Sequence, residues 1–407
     1  MTAATPILAA GTLAAGTIAA GSRPALRRIG ITRLTLTDFR SYAYLRADTD
    51  IRPVVICGRN GAGKTNLLEA LSFLAPGRGL RGARLSEIGR NASLSEAPVP
   101  WGVAAQLSTP DGPMDLGTGL AAGTGERRTI RINGQPAKGA GALAAHLGLI
   151  WLTPAMDRLF LEGPAGRRKF LDRLVIAFDA DHAGRMAAYD HAYRQRLRLL
   201  KTGAGDAAWF AALEDTMARH GVALAAGRSD LVDRLNRELG ASRGPFPAAA
   251  LALVGAVDAW LADMPAVDVE DALRRSLWDE RRGIAGAGAG PHRSDLGVAM
   301  VAPDHPSHGQ PAALCSTGEQ KALLIAILFA AARLQRAKRG FAPVLLLDEI
   351  AAHLDRDRRA GLFAEILTLG SQAWMTGTDF GVFAELAGNA QFLSAENGDL
   401  RHEKSPL

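Results

Sequence analysis

Cysteine is nearly absent: Cys57 and Cys315 are the two in 407 residues. Two thiols cannot staple a secreted scaffold, and no C-x-x-C or His/Cys cluster has the spacing of a structural zinc site. The count suits a reducing cytosol, so a cytoplasmic location is expected. Long apolar runs are also missing. Nothing approaches the ~18 consecutive apolar residues of a membrane helix, so no membrane partner is expected. Charge is not extreme either. Charged residues make up 22% against 48% hydrophobic, which excludes wholesale disorder. The net charge of +6 permits a polyanionic partner without establishing one. At roughly 150 residues per domain, the length allows two to three domains.

Residues 1–22 carry no charged side chain, and the first basic residue, Arg23, follows the apolar run instead of preceding it. A secretory signal needs the opposite order. Residues 1–28 are expected to be a disordered N-terminal extension.

Beyond that point the texture becomes structured. Residues 29–36 alternate as a strand, and 52–57 form an apolar run into a Gly-rich loop. Leu67, Leu68, Leu71 and Leu74 then share one helical face. Strands are expected at 101–107 and 147–152. A hairpin with a type I′ turn is expected at Asn133-Gly134. Helical spacing dominates from 154 to about 282, interrupted near 246–254, and Gly283 to Gly290 breaks it. Strand patterns return at 295–301, 341–347 and 372–376, with helices at 317–336 and 355–367 and a last hairpin at Asn397-Gly398. Strand-rich ends around a helical middle imply one α/β domain built from 29–153 and 291–407, carrying a helical insertion lobe at 154–290.

Gly58-Arg59-Asn60-Gly61-Ala62-Gly63-Lys64-Thr65 fits G-x-x-x-x-G-K-[ST] at each fixed position, between an expected strand and an expected helix. Glycines let backbone N–H groups curl round phosphate oxygens, and the helix dipole favours the anion. This makes Gly58 to Thr65 the expected ATP-binding segment. Lys64 would reach the β- and γ-phosphates, and Thr65 would bind Mg²⁺. Val344-Leu345-Leu346-Leu347-Asp348-Glu349 is an apolar strand ending in two acids. Asp348 is assigned to the metal and Glu349 to activation of the attacking water.

A second phosphate-type helix start is expected at Cys315-Ser316-Thr317-Gly318-Glu319-Gln320-Lys321. Ser316 there is either an ordinary N-cap or, with the Gly318 N–H, a γ-phosphate contact. One site does not need two such helix ends from one subunit, so Ser316 and Gly318 are expected to serve the ATP of a second copy in a homodimer. The order of these segments suits a P-loop ABC-type ATPase head of the SMC-like group.

Further segments carry a narrower resemblance. They are Leu36-Thr37-Asp38-Phe39-Arg40-Ser41-Tyr42, Pro76-Gly77-Arg78-Gly79-Leu80-Arg81, Glu162-Gly163-Pro164 with Arg167-Arg168-Lys169-Phe170-Leu171-Asp172, Gly290-Pro291-His292-Arg293-Ser294-Asp295-Leu296 and Thr376-Gly377-Thr378-Asp379. With them the chain resembles the RecF family of bacterial replication and recombinational repair ATPases, from about residue 29 to 392. Thr317 and Glu319 depart from the Gly and Gln usual in transporter ATPases. The resemblance implies a weak ATPase that dimerises around ATP and Mg²⁺. It also implies binding to single-stranded and gapped or junction DNA, action with RecO and RecR in loading RecA, and a part in the SOS response. The alternative is a transporter-type ATP-binding subunit, disfavoured by the long helical insertion.

Residues 162–201 hold nine basic residues against five acids, a local excess of four. Arg167, Arg168, Lys169, Arg194 and Arg198 are the candidate DNA contacts, through backbone phosphates and not bases. Asp379 stands where related ATPases place a γ-phosphate sensor.

Overall fold

The computed structural model describes residues 27–91, 97–123, 125, 127–203, 205–241, 244–284, 286, 288–303, 305–352, 354–396 and 398–405. The expected extension therefore lies outside the described residues except for Arg27 and Arg28, as does the turn residue Asn397. Strands β1 (Gly30–Phe39), β2 (Tyr42–Asp48) and β3 (Val54–Cys57) precede helix α1 (Lys64–Ser72). Strands β4 (Trp101–Thr109), β5 (Gly112–Leu120), β6 (Arg128–Ile132) and β7 (Gln135–Pro136) lead through α2 (Gly141–His146) to β8 (Leu149–Leu152). The middle of the chain holds α3 (Pro164–Ile176), α4 (His182–Thr202), α5 (Ala207–Ala241), β9 (Ala248–Val254), α6 (Ala256–Asp263) and α7 (Ala266–Arg281). Then come β10 (Asp295–Val301), α8 (Thr317–Arg339), β11 (Val344–Leu347), α9 (Arg356–Leu369), β12 (Ala373–Gly377), β13 (Gln391–Glu396) and β14 (Asp399–Glu403).

One sheet has the order β14-β13-β3-β12-β11-β8 and is parallel except for β14. A parallel sheet is covered on both faces, which is why its strands read as unbroken apolar runs. Alternate residues divide between two cores. Val54, Ile56, Val344 and Leu346 face one, and Val55, Cys57, Leu345 and Leu347 face the other. The first core also takes Leu67, Leu68 and Leu71 of α1 and Leu34, Leu36 and Leu107 of the antiparallel sheet β2-β1-β4-β5-β6-β7. The second is filled by α8, buried without interruption from Gln320 to Ala332, with α3, α5 and α9. A third core joins α4, α5, α6 and α7 through Tyr189, Met217, Val222, Val257 and Leu273.

The middle segment is tied to its flanks. β9 pairs antiparallel with β10 along its whole length, and α3 and α5 share a core with α8. The turn at Asn133-Gly134 has φ 49° and 77°, the left-handed pair that a type I′ hairpin requires. Strand β5 has no sequence signal, because its three glycines and a proline obscure the alternation. Helices α2 and α6 are six and eight residues long, too short for periodicity to register.

Candidate nucleotide site

The buried strand β3 delivers the chain to the loop Gly58–Gly63. A Cβ on Gly58 would stand 2.3 Å from the Ala395 carbonyl oxygen of β13, so only glycine lets the two backbones pass. Gly61 has φ 85° and open space where a Cβ would be. Gly63 caps α1 with φ 97° and no side-chain hydrogen bond. The Tyr42 hydroxyl donates to the Gly63 carbonyl at 3.1 Å, and burial pushes its pKa up. Lys64 is buried and folds back over the loop, donating to the Gly58 and Arg59 carbonyls at 2.6 and 3.0 Å. Thr65, in the first turn of α1, approaches both oxygens of Asp348 at 3.1 and 3.0 Å, although 283 residues separate them. Through Thr65, the last position of the motif, the loop thus meets the acid that follows β11.

Two cavities adjoin the loop. One, of about 550 Å³, is lined by Ser41, Gly58, Asn60, Gly61, Ser394 and Glu396. The other, of about 230 Å³, shares Asn60 and Gly61 and is lined by Lys64, Thr65, Arg81 and Glu349. Phosphate oxygens suit a concave loop of N–H groups with a lysine beside it. The donors at Thr65 and Asp348 are hard oxygens, which suits Mg²⁺. Among the described residues no group of three or more His, Cys, Asp or Glu has metal-holding geometry. An ion here would complete its shell with phosphate and water oxygens, as Mg²⁺ ordinarily does.

Glu349 has φ 48°, a left-handed conformation unusual for a glutamate. Its N–H donates to the Thr376 hydroxyl at 2.9 Å, and that hydroxyl donates to Asp348 at 2.7 Å. Nothing in the sequence around Thr376 announces this contact. A second feature also goes unannounced. Glu69 of α1 is fully buried, and Arg40 takes both its oxygens at 2.7 and 3.0 Å while Arg81 takes one at 2.6 Å. Two guanidiniums on one carboxylate leave surplus positive charge beside the loop, where Arg81 also lines the smaller cavity. Cys57, just before Gly58, is an inert packing residue whose thiol burial pushes up to about 12.

The second helix start is different. Ser316 accepts from the Glu319 N–H at 3.3 Å, and the Glu319 carboxylate accepts from the Ser316 N–H at 2.6 Å. Ser316 and Thr317 are exposed, and Gly318 lies against Arg358 of α9. Among the described residues no hydrogen bond joins this turn to the loop at Gly58–Gly63. The buried Lys321 ties α8 to the segment after Asp348 by donating to the Ala352 carbonyl at 2.8 Å. Asp379 caps the turn that follows it, accepting from the Gly381 N–H at 2.8 Å.

The family model for the RecF/RecN/SMC N terminal domain matches residues 30–391. The DNA replication and repair protein RecF of Mesorhizobium japonicum is 48% identical over 374 residues, 90% of this chain and 96% of the relative. The chain belongs to the RecF family. The RecF of Rhizobium etli is 47% identical over 375 residues, 90% of this chain and 97% of that protein. A solved structure of the recombination mediator protein RecF-ATPrS in the RecFOR pathway superposes with TM-score 0.77 at 19% identity, over 93% of this chain and 99% of that one. An Smc head domain from Pyrococcus furiosus, bound to the C-terminal domain of ScpA, gives 0.51 at 16% identity, over 92% and 96% of the two chains. The fold is thus the ABC-type ATPase head shared by RecF and SMC proteins, and the transporter-type alternative finds no support in these relatives.

Two of the RecF-like segments meet each other in space. Arg167 forms a two-pronged pair with Asp295, both bonds at 2.8 Å, and Arg168 donates to the Ser294 carbonyl at 2.7 Å. Buried Asp172 takes both prongs of Arg228, which also donates to the Pro291 carbonyl at 2.7 Å, and accepts His182 at 2.9 Å. His292 lies 2.6 Å from the Tyr189 hydroxyl, and burial with the nearby Arg293 charge lowers its pKa to about 4. Arg167 and Arg168 therefore tie α3 to the chain at the start of β10, each already sharing its protons with a half-buried carboxylate or a backbone carbonyl. Arg173 is stacked 4.5 Å over Trp151, and Arg196 is buried against Glu214 and Glu280. Of the five candidates, Lys169, Arg194 and Arg198 are exposed. Arg194, Arg198 and Lys201 lie on one stripe of α4 by their spacing of four and three, with Arg194 paired to Asp190 at 3.3 Å. No described helix is long and apolar enough to cross a membrane.

Proposed function

We propose that this RecF-family chain binds and slowly hydrolyses ATP with Mg²⁺, using the cycle as a switch for dimerisation on DNA in replication and recombinational gap repair. The observation that carries the reading is the meeting of Thr65 with Asp348 at 3.0 Å, beneath a cavity that Lys64 and Glu349 also line. Residues Gly58 to Thr65 hold the phosphates through N–H groups, and Lys64 leaves the loop carbonyls to pair with the β- and γ-oxygens. Thr65 and Asp348 hold the metal, which when bound neutralises charge on the transferred phosphoryl oxygens. Glu349 orients and deprotonates the attacking water. Ser316 and Gly318 contact the nucleotide of a second copy, which explains an exposed signature turn in the single chain. The resemblance to RecF supports RecO and RecR as partners in loading RecA, a part in the SOS response, and a cytoplasmic site of action. Single-stranded and gapped DNA is held by the phosphate-facing cations Lys169, Arg194 and Arg198 on the lobe formed by residues 154–290.

The test is sedimentation of Glu349→Gln with ADP, with ATP–Mg²⁺, and with ATP–Mg²⁺ plus a gapped duplex. Hydrolysis should fall at least about a hundredfold, as expected for loss of a general base. The variant should form an ATP-specific dimer that retains the duplex. A monomer under all three conditions, or normal turnover, overturns the reading.

A further inference from the structure

We infer that Thr376 is a positioning residue that sets both acids of the site from a single hydroxyl. The inference rests on the reading of Asp348 and Glu349 given above. Thr376 is fully buried near the end of β12. The parallel register pairs Leu346 with Trp374 and Leu347 with Met375, which brings the next residues, Asp348 and Thr376, side by side. A threonine hydroxyl has one proton and two lone pairs. Here the proton goes to Asp348 Oδ1 at 2.7 Å and a lone pair receives the Glu349 N–H at 2.9 Å.

Each bond has a separate consequence. On Asp348, Thr376 occupies a lone pair of Oδ1 from the sheet side and fixes the carboxylate's rotation. Its remaining lone pairs are then available toward Thr65 and the cavity. A hydrogen bond to a metal-binding carboxylate from behind, as Thr376 makes to Asp348, sets that carboxylate's orientation and so its affinity for the metal. On Glu349, the bond restrains a peptide whose φ of 48° is costly for a residue with a Cβ. Released from Thr376, the Glu349 backbone can relax to negative φ, which swings its carboxylate away from the cavity. A valine at 376 would fill the same volume but leave the Glu349 N–H unpaired and Asp348 short of one donor. Packing alone therefore does not account for threonine at this position.

The experiment compares Thr376→Val and Thr376→Ser with the parent protein, and Thr376→Ala replaces the valine variant if circular dichroism shows that valine disturbs folding. Amide hydrogen exchange at Glu349, measured without nucleotide, should rise in the valine variant and return to parental protection in the serine variant. The Mg²⁺ concentration that half-saturates ATP binding should rise about tenfold, and kcat should fall by about ten- to a hundredfold with KM changed less than threefold. Serine should recover most of each. Unchanged Glu349 protection together with an unchanged Mg²⁺ requirement overturns the inference. Glu349→Gln, run alongside, separates the two readings. If it hydrolyses ATP normally while the exchange at residue 349 still depends on Thr376, the role of Glu349 fails and the positioning stands. If it is inactive while Thr376→Val behaves as parent, the positioning fails alone.

Discussion

Helices α1 and α8 both begin at polar, glycine-containing motifs, yet their first turns are built in opposite ways. The start of α1 has a glycine cap, no side-chain partner for its N–H groups and no acid in the first turn. The start of α8 has a complete capping box, in which Ser316 and Glu319 satisfy each other's N–H groups, and Glu319 is also held by the Ser307 hydroxyl at 2.9 Å. The four leading N–H groups of a helix must find acceptors somewhere. At α1 the chain supplies no side-chain acceptor, and Lys64 lies over the loop carbonyls. At α8 the chain supplies its own anion. The first end is where the proposed phosphate site lies within one chain. The second is closed in the single chain, and a phosphate arriving there must share the helix end with Glu319.

Breaking the open end should have the largest effect. Lys64→Ala removes the cation that donates to the loop carbonyls and should weaken ATP binding at least about a hundredfold, since charge-assisted contacts to phosphate contribute roughly 3 kcal/mol. Titration with a fluorescent ATP analogue measures this, and affinity within threefold of the parent would refute the role of the loop. Blocking the closed end comes next. Ser316→Arg should abolish ATP-dependent dimers in sedimentation, yet leave ATP affinity of the monomer within about twofold, because among the described residues no hydrogen bond joins this turn to the loop of its own chain. ATP-specific dimers of the arginine variant would show that α8 does not face a second copy.

The smallest effect sharpens the contrast by pH. The Ser316 hydroxyl, and then its N–H, hold the Glu319 carboxyl below the ordinary range for glutamate. The ionised form is favoured by folding, so this contribution is fully present above the unfolded pKa of about 4.3 and is lost as pH falls through the lower folded value. Thermal melts of the parent and Glu319→Gln should differ most near neutral pH and converge on acidification. A gap independent of pH would mean that the cap works through geometry without charge.

Much of the parallel sheet and the loop was legible in the sequence. Short apolar runs at 52–57, 341–347 and 372–376 were readable because a strand buried on both faces needs no alternation. Strand β5 was not, since Gly112, Gly117 and Gly119 hide its inward residues Leu116 and Leu120. At the site, spacing identified Lys64, Thr65, Asp348 and Glu349, whereas Glu69 gave no local cue, and the segment that holds Thr376 stood out by resemblance without any sign of its bonds to the two acids. Among the nine cations of residues 162–201, charge density alone suggested one basic face. Pairing divided it, with Arg167 and Arg168 directed inward and Lys169, Arg194 and Arg198 outward.

What the sequence determined by itself lies within a few residues of chain: the glycines of the loop, the lysine and threonine after them, the Ser316–Glu319 cap and the Asn133-Gly134 turn. Backbone conformation and hydrogen bonds between near neighbours decide such features, and residue types at fixed spacing are enough to specify them. Only the tertiary structure brought Thr65 to Asp348 across 283 residues, Arg167 to Asp295 across 128, and Thr376 to both acids across a strand pair. A hydroxyl or guanidinium offers the same donors wherever it stands. Which acceptor it meets is set by how sheets and helices pack their apolar faces, and no local pattern encodes that.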